Sequence, residues 1–529
     1  MRGGSLMARQ LRSVIGAFCK RCILTTALLA CASPVLARTA RVPGDFWTIQ
    51  AAVDYLAQFY VGDTVLVAAG YYPERVVIPD AIRLEGIPAP GSAEPVPRID
   101  ELHIQPPRSG RYAIEVVGIH VAGPARTAGS DGPARVYFES CRFDEGMEGG
   151  NWYPDIEIIS MRRCTLLGTV SLKAVETVVE SCTVKAPLVL LAVGAVVTDN
   201  QFENIPGFAA TISTEQDAHV ARNTVRGGDA GFKVRTTEYY LAIEDNVIEG
   251  CKGPGIVSES AWYGSTIDRN HISRCGGTGI SAYGVLRLNG NRVFDCGGHG
   301  LDLVQFEHAA LVAGNVVGRC GGDGIRLQRD WDESSVFQVR GNTAYACAGS
   351  GIVGLATASI SNNIAFRNGG SGLETGGTDV VTSSCNDWFE NRAGSNSSGA
   401  PSTTDLSLDP IFCDLAADDV HLRSDSPLLN APGCGLIGAL GQGCEAPVVA
   451  MGFELWPRVV QPNARARWIT AWLEPPAPFA FSEIDVATVR VNGVAVADGT
   501  GCPVDRVAVL CMRDFNTLPH TPPYQVRSL

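Results

Sequence analysis

Acidic, basic and imidazole side chains recur at fixed places in the middle of this 529-residue sequence. Each lies within two residues of a glycine that returns about every 23 residues. If the residue after that glycine points inward, the second and fourth residues after it point outward. This register places Asp302 and Arg326 on the outward face of neighbouring coils, with His299 and Asp323 in the turns before them. Because such groups can transfer protons, we predict that His299, Asp302, Asp323 and Arg326 are catalytic.

The same register predicts a binding surface beside these four residues. Trp262 and Trp331 each fall seven residues after a repeated glycine, three coils apart, which corresponds to ~14 Å. Aromatic faces that flank polar groups are surfaces on which sugar rings stack. An ordinary solvated surface is the competing interpretation, and the apolar Val353 and Leu355 continue the outward register. The predicted substrate-binding residues are Lys233, Arg235, Glu259, Trp262, Tyr283, Gln328 and Trp331.

A repeat of about 23 residues must position these side chains. In most repeats cysteine follows five places after an asparagine and glycine nine places after it, with an apolar residue next. This periodicity predicts a parallel β-helix, whose strands alternate inward and outward residues and whose coils stack ~4.8 Å apart. Leucine-rich repeats would need a leucine framework, and tetratricopeptide or ankyrin repeats would need helices. The repeated asparagines are Asn200, Asn223, Asn246, Asn270, Asn291, Asn315, Asn342 and Asn363.

Like residues in register should form ladders along such a rod. We expect the asparagines to bond from coil to coil, and cysteine takes the same position upstream at Cys141, Cys164 and Cys182. Stacked parallel side chains make disulfide geometry hard to reach, so the other repeated cysteines should pack in the core. These are Cys251, Cys275, Cys296, Cys320, Cys347 and, close behind the array, Cys385. The better disulfide candidates are Cys434 with Cys444 and Cys502 with Cys511.

The first 37 residues predict an export signal. Residues 2–21 are basic, residues 22–32 are apolar, and Ala37 ends a small-residue cleavage site. Lipid attachment at Cys31 is the alternative, because Leu28-Leu29-Ala30-Cys31 looks like an imperfect lipoprotein box. Eleven apolar residues are too few to span a bilayer. In either case we expect a secreted or outer-surface protein with no transmembrane segment.

The charge of the chain excludes one class of partner. The formal charge is −13, and it falls to −18 without the first 37 residues, which carry five bases and no acid. A nucleic-acid-binding surface normally needs the opposite balance, so no nucleic acid is expected. The same charge slightly disfavours anionic substrates through long-range repulsion.

Both ends of the repeat carry recognisable sequences. Thr48 can cap a helix whose apolar positions continue to Tyr60, and GDTV-x-V and G-x-Y-x-E follow it. Residues 48–87 resemble the N-terminal segment of pectin-lyase-like right-handed β-helix proteins, and residues 409–427 resemble the C-terminal segment of secreted bacterial members. The resemblance covers roughly residues 44–445. It implies an all-β fold: a right-handed, single-stranded parallel β-helix with an N-terminal capping helix.

The expected domain order follows from these segments. After the signal peptide (1–37) come the cap and first strands (38–80), the β-helix (81–390), and a polar loop with a closing segment (391–447). Residues 448–529 lose the 23-residue phase, and an Asn492-Gly493 hairpin signal predicts a small C-terminal β-sandwich-like module. Its tail after Asp514 looks cut short.

The resembled family holds lyases, hydrolases, esterases, epimerases and binding proteins, so its fold does not give the activity. The catalytic signatures of pectin methylesterases and pectate lyases are absent, and only Gly298-His299-Gly300 matches polygalacturonases. We expect no metal and no cofactor. The predicted function is a monomer that binds, or binds and processes, a polysaccharide or cell-surface glycan; if it is an enzyme, a polysaccharide lyase or glycoside hydrolase is expected. Paired carboxylates would suit hydrolysis, and an arginine or lysine base would suit elimination beside a uronate. The alternative is a non-catalytic structural or adhesive surface protein.

Overall fold

The computed structural model describes residues 37–446, with gaps at 60–61, 106–111, 129–133, 151–155, 239, 261–263, 306–308, 331–335, 377–379 and 397–401. Beyond residue 446 it describes only short strands. The described chain is almost entirely β-structure, wound into about 16 turns of a right-handed parallel solenoid. The predicted parallel β-helix is therefore confirmed. Each complete coil passes through three sheets in order, and every strand pairs in parallel with its counterpart one coil away.

The first sheet precedes the asparagine position of each coil. Its strands are Thr39–Val42, Asp63–Ala68, Ile82–Ile87, Tyr112–Val117, Ala134–Glu139, Ile156–Arg162, the second halves of Val170–Glu180 and Leu188–Thr198, Ala218–Ala221, Leu241–Glu244, Ser265–Asp268, Val285–Asn289, Ala310–Ala313, Phe337–Arg340, Ala358–Ser361 and Val381–Ser384.

The second sheet follows the asparagine position. Its strands are the first parts of Gly70–Ile78 and Pro97–Ile104, then His120–Val121, Arg142–Phe143, Thr165–Leu166, Thr183–Val184, Gln201–Glu203, Thr224–Arg226, Val247–Glu249, His271–Ser273, Arg292–Phe294, Val316–Gly318, Thr343–Tyr345, Ile364–Phe366 and Asp387–Phe389.

The third sheet follows the repeated glycine. Its strands are the second parts of Gly70–Ile78 and Pro97–Ile104, then Ala125–Thr127, Met147–Gly149, the first halves of Val170–Glu180 and Leu188–Thr198, Phe208–Thr214, Ala230–Thr236, Ile256–Ser260, Ile280–Tyr283, Leu301–Gln305, Ile325–Arg329, Ile352–Leu355 and Leu373–Thr375.

A buried asparagine ladder joins the coils between the first and second sheets. Each Oδ1 accepts the backbone N–H of the asparagine one coil before it at 2.9–3.1 Å and the side-chain amide of that residue at 2.9–3.0 Å. Upstream, Cys182 donates its N–H to Asn200, and Cys164 donates its N–H to the Cys182 sulfur. Downstream, Asn386 ends the ladder by donating to the carboxylate of Asp405.

The residue before each ladder position turns the chain sharply. Asp199, Arg222 and Asp245 there have φ of 61°, 55° and 56°, in the left-handed region. Non-glycine residues rarely adopt this conformation. The ladder bonds that follow satisfy the polar groups of the buried turn, so each turn is held by its neighbours along the rod.

The repeated cysteines form a second buried column, at the turn between the second and third sheets. Cys251, Cys275, Cys296, Cys320 and Cys347 are all free and buried. Hydrogen bonding to Cys320 and burial raise the pKa of the Cys347 thiol, which keeps it protonated at neutral pH. Their predicted role as core packing is confirmed.

Cys385 does not belong to this column, because it lies in the turn before Asn386 and forms a disulfide with Cys434, with the Cα atoms 5.5 Å apart. The predicted pairing of Cys434 with Cys444 is therefore wrong. The segment that carries Cys434 folds back to the last coil, which the local spacing of cysteines could not indicate. Cys413 and Cys444 are also disulfide-bonded. Cys502 lies outside the described residues.

A helix, Ile49–Leu56, lies between the first two strands of the first sheet. Thr48 accepts the backbone N–H of Ala51 at 3.2 Å, and the inner side of the helix contributes Ile49, Val53 and Leu56 to the core. The helix ends at Leu56 rather than continuing to Tyr60. Its role as a cap over the end of the core remains a prediction. Within the described ranges, no helix is long and apolar enough to cross a membrane.

After the last coil, residues 402–441 fold back onto the rod, and we call them the closing segment. It contains Phe412–Asp414, a short 3-10 helix at Leu415–Ala417, and Asp419–Arg423, with Phe412 opposite Leu422 in an antiparallel pair. The side chains that it buries on the second sheet form a separate apolar cluster. These include Phe294, Tyr345 and Phe366, packed with Val420, Leu428 and Ile437.

Beyond residue 441 the strands are Gln442–Cys444, Gly452–Trp456, Thr470–Glu474, Arg490–Val491, Val494–Ala495, Ala508–Cys511 and Val526–Arg527. Those after residue 451 form two small antiparallel sheets. The side chains of this part are not described, so the predicted sandwich remains a prediction.

We predict that Asn291→Ala destabilises the protein by about 2 kcal/mol or more, because it leaves buried groups of Asn270 without their acceptor. Asn289→Ala is the matched control, since its side chain lies outside the ladder and should cost less than ~0.5 kcal/mol. Urea unfolding of both variants measures this. Equal, small losses would show that the ladder does not support the fold.

A second prediction concerns Asp387 in the last coil. One carboxylate oxygen accepts the N–H of Leu408, and the other is buried without a hydrogen-bond partner. Burial raises the pKa of Asp387 to about 7, against an ordinary value of about 3.9. Because the pKa is higher in the folded state, the contribution of Asp387 to the free energy of unfolding is fully present below pH 4. This contribution is lost as the pH rises through 7.

We therefore expect Asp387→Asn to exceed the wild type in unfolding free energy at pH 8, by about 2–4 kcal/mol, and to match it near pH 4. Chemical denaturation at pH 4, 6 and 8 measures the difference. A difference that does not change with pH would contradict the assignment.

Candidate functional site

The third sheet carries two outward columns in the register that the glycines predict. Along the first column, each residue lies opposite the next on adjacent coils: Lys233, Val257, Ser281, Asp302, Arg326, Val353 and Glu374. Along the second column the order is Arg235, Glu259, Tyr283, Val304, Gln328 and Leu355. Val353 differs from the expectation, because it is buried despite its outward register.

An open groove of about 430 Å³ lies across four coils of this face. Its walls are mostly outward residues of both columns, and its floor includes the small inward residues Ser258, Ser260 and Ala282. The sequence did not single out these floor residues. A polar residue at an inward position is the signal that could have identified them. The lining residues are Arg235, Thr236, Val257, Ser258, Glu259, Ser260, Ser281, Ala282, Tyr283 and Val304.

Charged groups meet at one end of the groove. Glu259 lies 3.8 Å from the Lys233 ammonium and 3.9 Å from the Arg235 guanidinium. These side chains are all about half exposed, so their pairing is worth little in water. A ligand can therefore displace these contacts at small cost. The predicted binding residues Lys233, Arg235 and Glu259 are brought together.

Tyr283 stands at the other end of the groove, where its hydroxyl donates to the carboxylate of Asp330. This hydrogen bond, together with burial, raises the pKa of Tyr283 to about 12. The phenol therefore stays protonated at physiological pH and acts as a hydrogen-bond donor. On the next two coils, Gln328 donates to Asp302 at 2.7 Å.

A second ladder runs through the turns before the third sheet, at the residue before the repeated glycine. The Asp323 N–H donates to Nδ1 of His299 at 3.0 Å, and the Ser350 N–H donates to Asp323 Oδ1 at 2.9 Å. One coil later the Ser371 N–H donates to Ser350 Oγ at 3.0 Å. His299 and Asp323 thus both accept a backbone N–H from the next coil. This role as acceptors of backbone N–H groups was not predicted from the sequence.

The glycines of these turns are required by close approach. A Cβ at Gly279 would lie 2.7 Å from the Gly300 carbonyl oxygen and 2.3 Å from Val293. No side chain fits there without a shift of the backbone. Each turn is therefore stacked directly on the next. The residue before the glycine differs in type from coil to coil.

The ladder also orients the imidazole of His299. Nε2 lies 3.2 Å from a guanidinium nitrogen of Arg326. His299 and Arg326 thus form one polar pair on neighbouring coils. Asp323 lies on the other side of the ring, with Oδ2 3.3 Å from Nδ1.

The structure thus places the four predicted catalytic residues on adjacent coils, beside Gln328 and next to the end of the groove at Val304. Trp262 and Trp331 lie outside the described residues. Among the described residues, no group of three or more histidine, cysteine or carboxylate side chains is arranged to hold a metal ion.

A second groove, of about 570 Å³, lies on the first sheet near the N-terminal end. It is larger, but its charged walls are engaged by neighbours. Arg83 donates to Glu85 at 2.8 Å and also contacts Glu115, while Arg162 lies 3.1 Å from Glu180. None of the predicted site residues lines it, so the third-sheet groove is the stronger candidate.

Comparisons with known proteins agree on the fold. Residues 171–306 and 264–388 match the family model described as "Right handed beta helix region". No protein of curated function matches the chain.

Several solved structures are similar to it, among them the following three. A periplasmic alginate epimerase has 10% identity over 64% of this chain and 77% of its own, with a TM-score of 0.31. A GH87 alpha-1,3-glucanase catalytic unit from Streptomyces thermodiastaticus has 14% identity over 72% and 71%, with a TM-score of 0.31. The A-module of an Azotobacter vinelandii mannuronan C-5 epimerase has 15% identity over 68% and 94%, with a TM-score of 0.23. We draw no inference about activity from similarity at this level.

We predict that Asp323→Ala and Asp323→Asn have different effects on stability, because Asp323 supports the fold as a hydrogen-bond acceptor and not through its charge. The asparagine keeps an oxygen for the Ser350 N–H, so its unfolding free energy should stay within ~0.5 kcal/mol of the wild type. The alanine removes the acceptor and should cost about 1–2 kcal/mol. Denaturant unfolding of the wild type and both variants measures these free energies. An asparagine variant as unstable as the alanine variant would contradict the ladder.

Proposed function

We propose that this right-handed parallel β-helix protein binds a polysaccharide or cell-surface glycan along the third sheet. The observation that carries the proposal is the 430 Å³ groove, which places acidic, basic, hydroxyl and aromatic side chains on successive coils. At the neighbouring coils the closing segment buries the outward side chains of the second sheet. The third sheet is the face whose polar columns stay open to a ligand.

The chemistry of the face suits a hydroxyl-rich ligand. Sugar hydroxyls donate and accept, and here they would meet acceptors such as Glu259 and Asp302 beside donors such as Arg235 and Arg326. The ring of Tyr283 offers an apolar face for a sugar ring. Coils repeat every ~4.8 Å, close to the length of one sugar unit in an extended chain, so neighbouring sugars would meet neighbouring coils.

Charge limits the class of glycan. The chain has a net charge of −13, which repels polyanions at long range. The cations Lys233, Arg235 and Arg326 lie on this face and offset that repulsion locally. A neutral or sparsely acidic polysaccharide is therefore favoured over a densely charged one.

We assign cleavage or modification of the glycan to the end of the face at Asp302. Asp323 and His299 already hold the turn ladder, whereas Asp302 lies on the strand and is bound by a neutral amide. In this proposal Asp302 donates or accepts the proton that the reaction moves, and Arg326, which contacts His299, binds an oxygen of the sugar. The alternative is that the same face only grips the glycan, as in a structural or adhesive surface protein.

Secretion or display on the outer surface completes the proposal. The Cys385–Cys434 disulfide is typical of proteins outside the cytoplasm, and the N-terminal sequence predicts export. A monomer suffices for the site, because both columns lie on one chain.

We predict that, for a glycan identified by array screening, Arg326→Ala and Tyr283→Ala each weaken binding at least tenfold, about 1.4 kcal/mol. The same loss is expected for Trp331→Ala. Arg340→Ala is the control, because Arg340 is an exposed arginine on the first sheet. Calorimetric titration measures the affinities. Unchanged affinity in all three variants would place the site elsewhere, and the absence of any bound glycan would overturn the proposal.

A separate assay of product formation tests catalysis. Asp302→Asn should keep glycan affinity within about twofold while abolishing the release of reducing ends or of unsaturated products that absorb at 235 nm. If the wild type forms no product from the glycan that it binds, the face is a binding surface only.

A further inference from the structure

An exposed aromatic surface lies at the N-terminal end of the rod. It consists of the exposed Trp47 and Tyr55 with the half-buried Phe46 and Phe59, and we call it the aromatic end. Trp47 is 90% exposed and Tyr55 is 45% exposed. The ring of Tyr55 lies 5.3 Å from the rings of both Phe46 and Phe59, so these three rings form one contiguous surface.

The fold does not need Trp47 or Tyr55 at these positions. The inner side of the helix already buries Ile49, Val53 and Leu56 against the core. Tyr55 lies on the outer side of the same helix, and Trp47 directly precedes its N-cap. Contiguous exposed apolar surface of this kind marks an interaction site.

The charged groups around the aromatic end are held by contacts within the protein. Arg38 lies 3.4 Å over the ring of Phe59, Asp45 accepts the backbone N–H of Arg41, and Asp54 accepts the side-chain amide of Gln50. Glu74 accepts the N–H groups of Ile49 and Gln50, and Asp63 accepts that of Arg38, so these acids are bound to N–H groups of the protein itself. This differs from the third-sheet face, where charged groups line an open groove. An aromatic surface suits a lipid interface, where tryptophan and tyrosine rings lie at the level of the headgroups.

The upstream sequence brings this end close to such an interface. Cys31, the alternative lipid acceptor, precedes residue 37 by six positions, and six residues span at most ~20 Å. A lipid anchor at Cys31 would therefore hold the aromatic end next to the bilayer. Membrane anchoring by acyl chains is commonly supplemented by a second, weaker contact of the protein itself.

We propose that the aromatic end docks onto the surface of a lipid bilayer, with Trp47 and Tyr55 inserted among the headgroups. This goes beyond glycan binding and does not depend on it. Lys233, where the polar face begins, lies seven coils further along the third sheet, ~34 Å away. The proposed glycan surface would thus stay clear of the membrane.

The test replaces residues 1–37 with a histidine tag and tethers the protein to phosphatidylcholine vesicles that contain a nickel-chelating lipid. Vesicles with and without brominated acyl chains are compared, because bromine quenches tryptophan fluorescence on contact. The emission of Trp47 is the difference between the wild type and Trp47→Phe. We expect brominated lipid to quench most of this difference signal. An unquenched Trp47 on tethered protein would overturn the proposal.

Untethered vesicle partition supplies the matched controls. Trp47→Ala and Tyr55→Ala should each lower partition roughly tenfold. Tyr240→Ala should leave it unchanged, since Tyr240 is equally exposed but lies on the first sheet, away from the aromatic end. Equal effects of all three variants would contradict a specific surface. If soluble glycan instead changes the emission of Trp47 while brominated lipid does not, the aromatic end is a sugar platform and the lipid proposal fails.

Discussion

The buried column of asparagines holds each coil to the next, and the placement of every other side chain depends on it. An asparagine side chain has two donor hydrogens and one oxygen with two lone pairs. In the ladder, the oxygen accepts two N–H groups from the neighbouring coil. The amide donates once to the next oxygen and once to a backbone carbonyl, as Asn291 does to Asn315 and to Ile267. Both donors and both lone pairs are used, so a buried polar column costs little.

No other side chain serves this position as well. Stacked carboxylates would repel one another in a buried site. The ladder accordingly uses a single carboxylate, Asp405, only at its end, where it accepts from Asn386, Ser383 and Trp388. Cysteine replaces asparagine only near the other end.

A turn whose conformation is fixed also fixes the register of the strands that precede and follow it. In a β-strand a slip of one residue exchanges the two faces, so the ladder determines which residues point outward on the first and second sheets, and the coils that it aligns also carry the third sheet. The turn before that sheet uses weaker devices: packed glycines, buried thiols and one variable residue that accepts a backbone N–H. Histidine, aspartate and serine all serve there. This tolerance allows the same position to bring functional groups such as His299 beside Arg326 without loss of the fold.

Much of this arrangement could be predicted from the sequence, because periodicity is a local signal. The spacing of asparagine, cysteine and glycine predicted the coils, the free core thiols and the pairing of Asp302 with Arg326 on neighbouring strands. What the sequence could not predict depends on contacts distant along the chain. Cys434 pairs with Cys385, 49 residues away, because the closing segment turns back. The N–H that Asp323 donates to His299, and the burial of Val353, follow from coil-to-coil packing that no spacing reveals.

The central claim is that the asparagine ladder fixes the register of the whole rod, and hydrogen exchange tests it most directly. Exchange of the native protein, read by mass spectrometry on peptides that cover residues 200–386, reports the protection of the ladder amides. The ladder predicts that the N–H groups of Asn223 through Asn363 exchange as slowly as the central strands, through global unfolding only. Ladder amides that exchange quickly while the flanking strands stay protected would contradict this account.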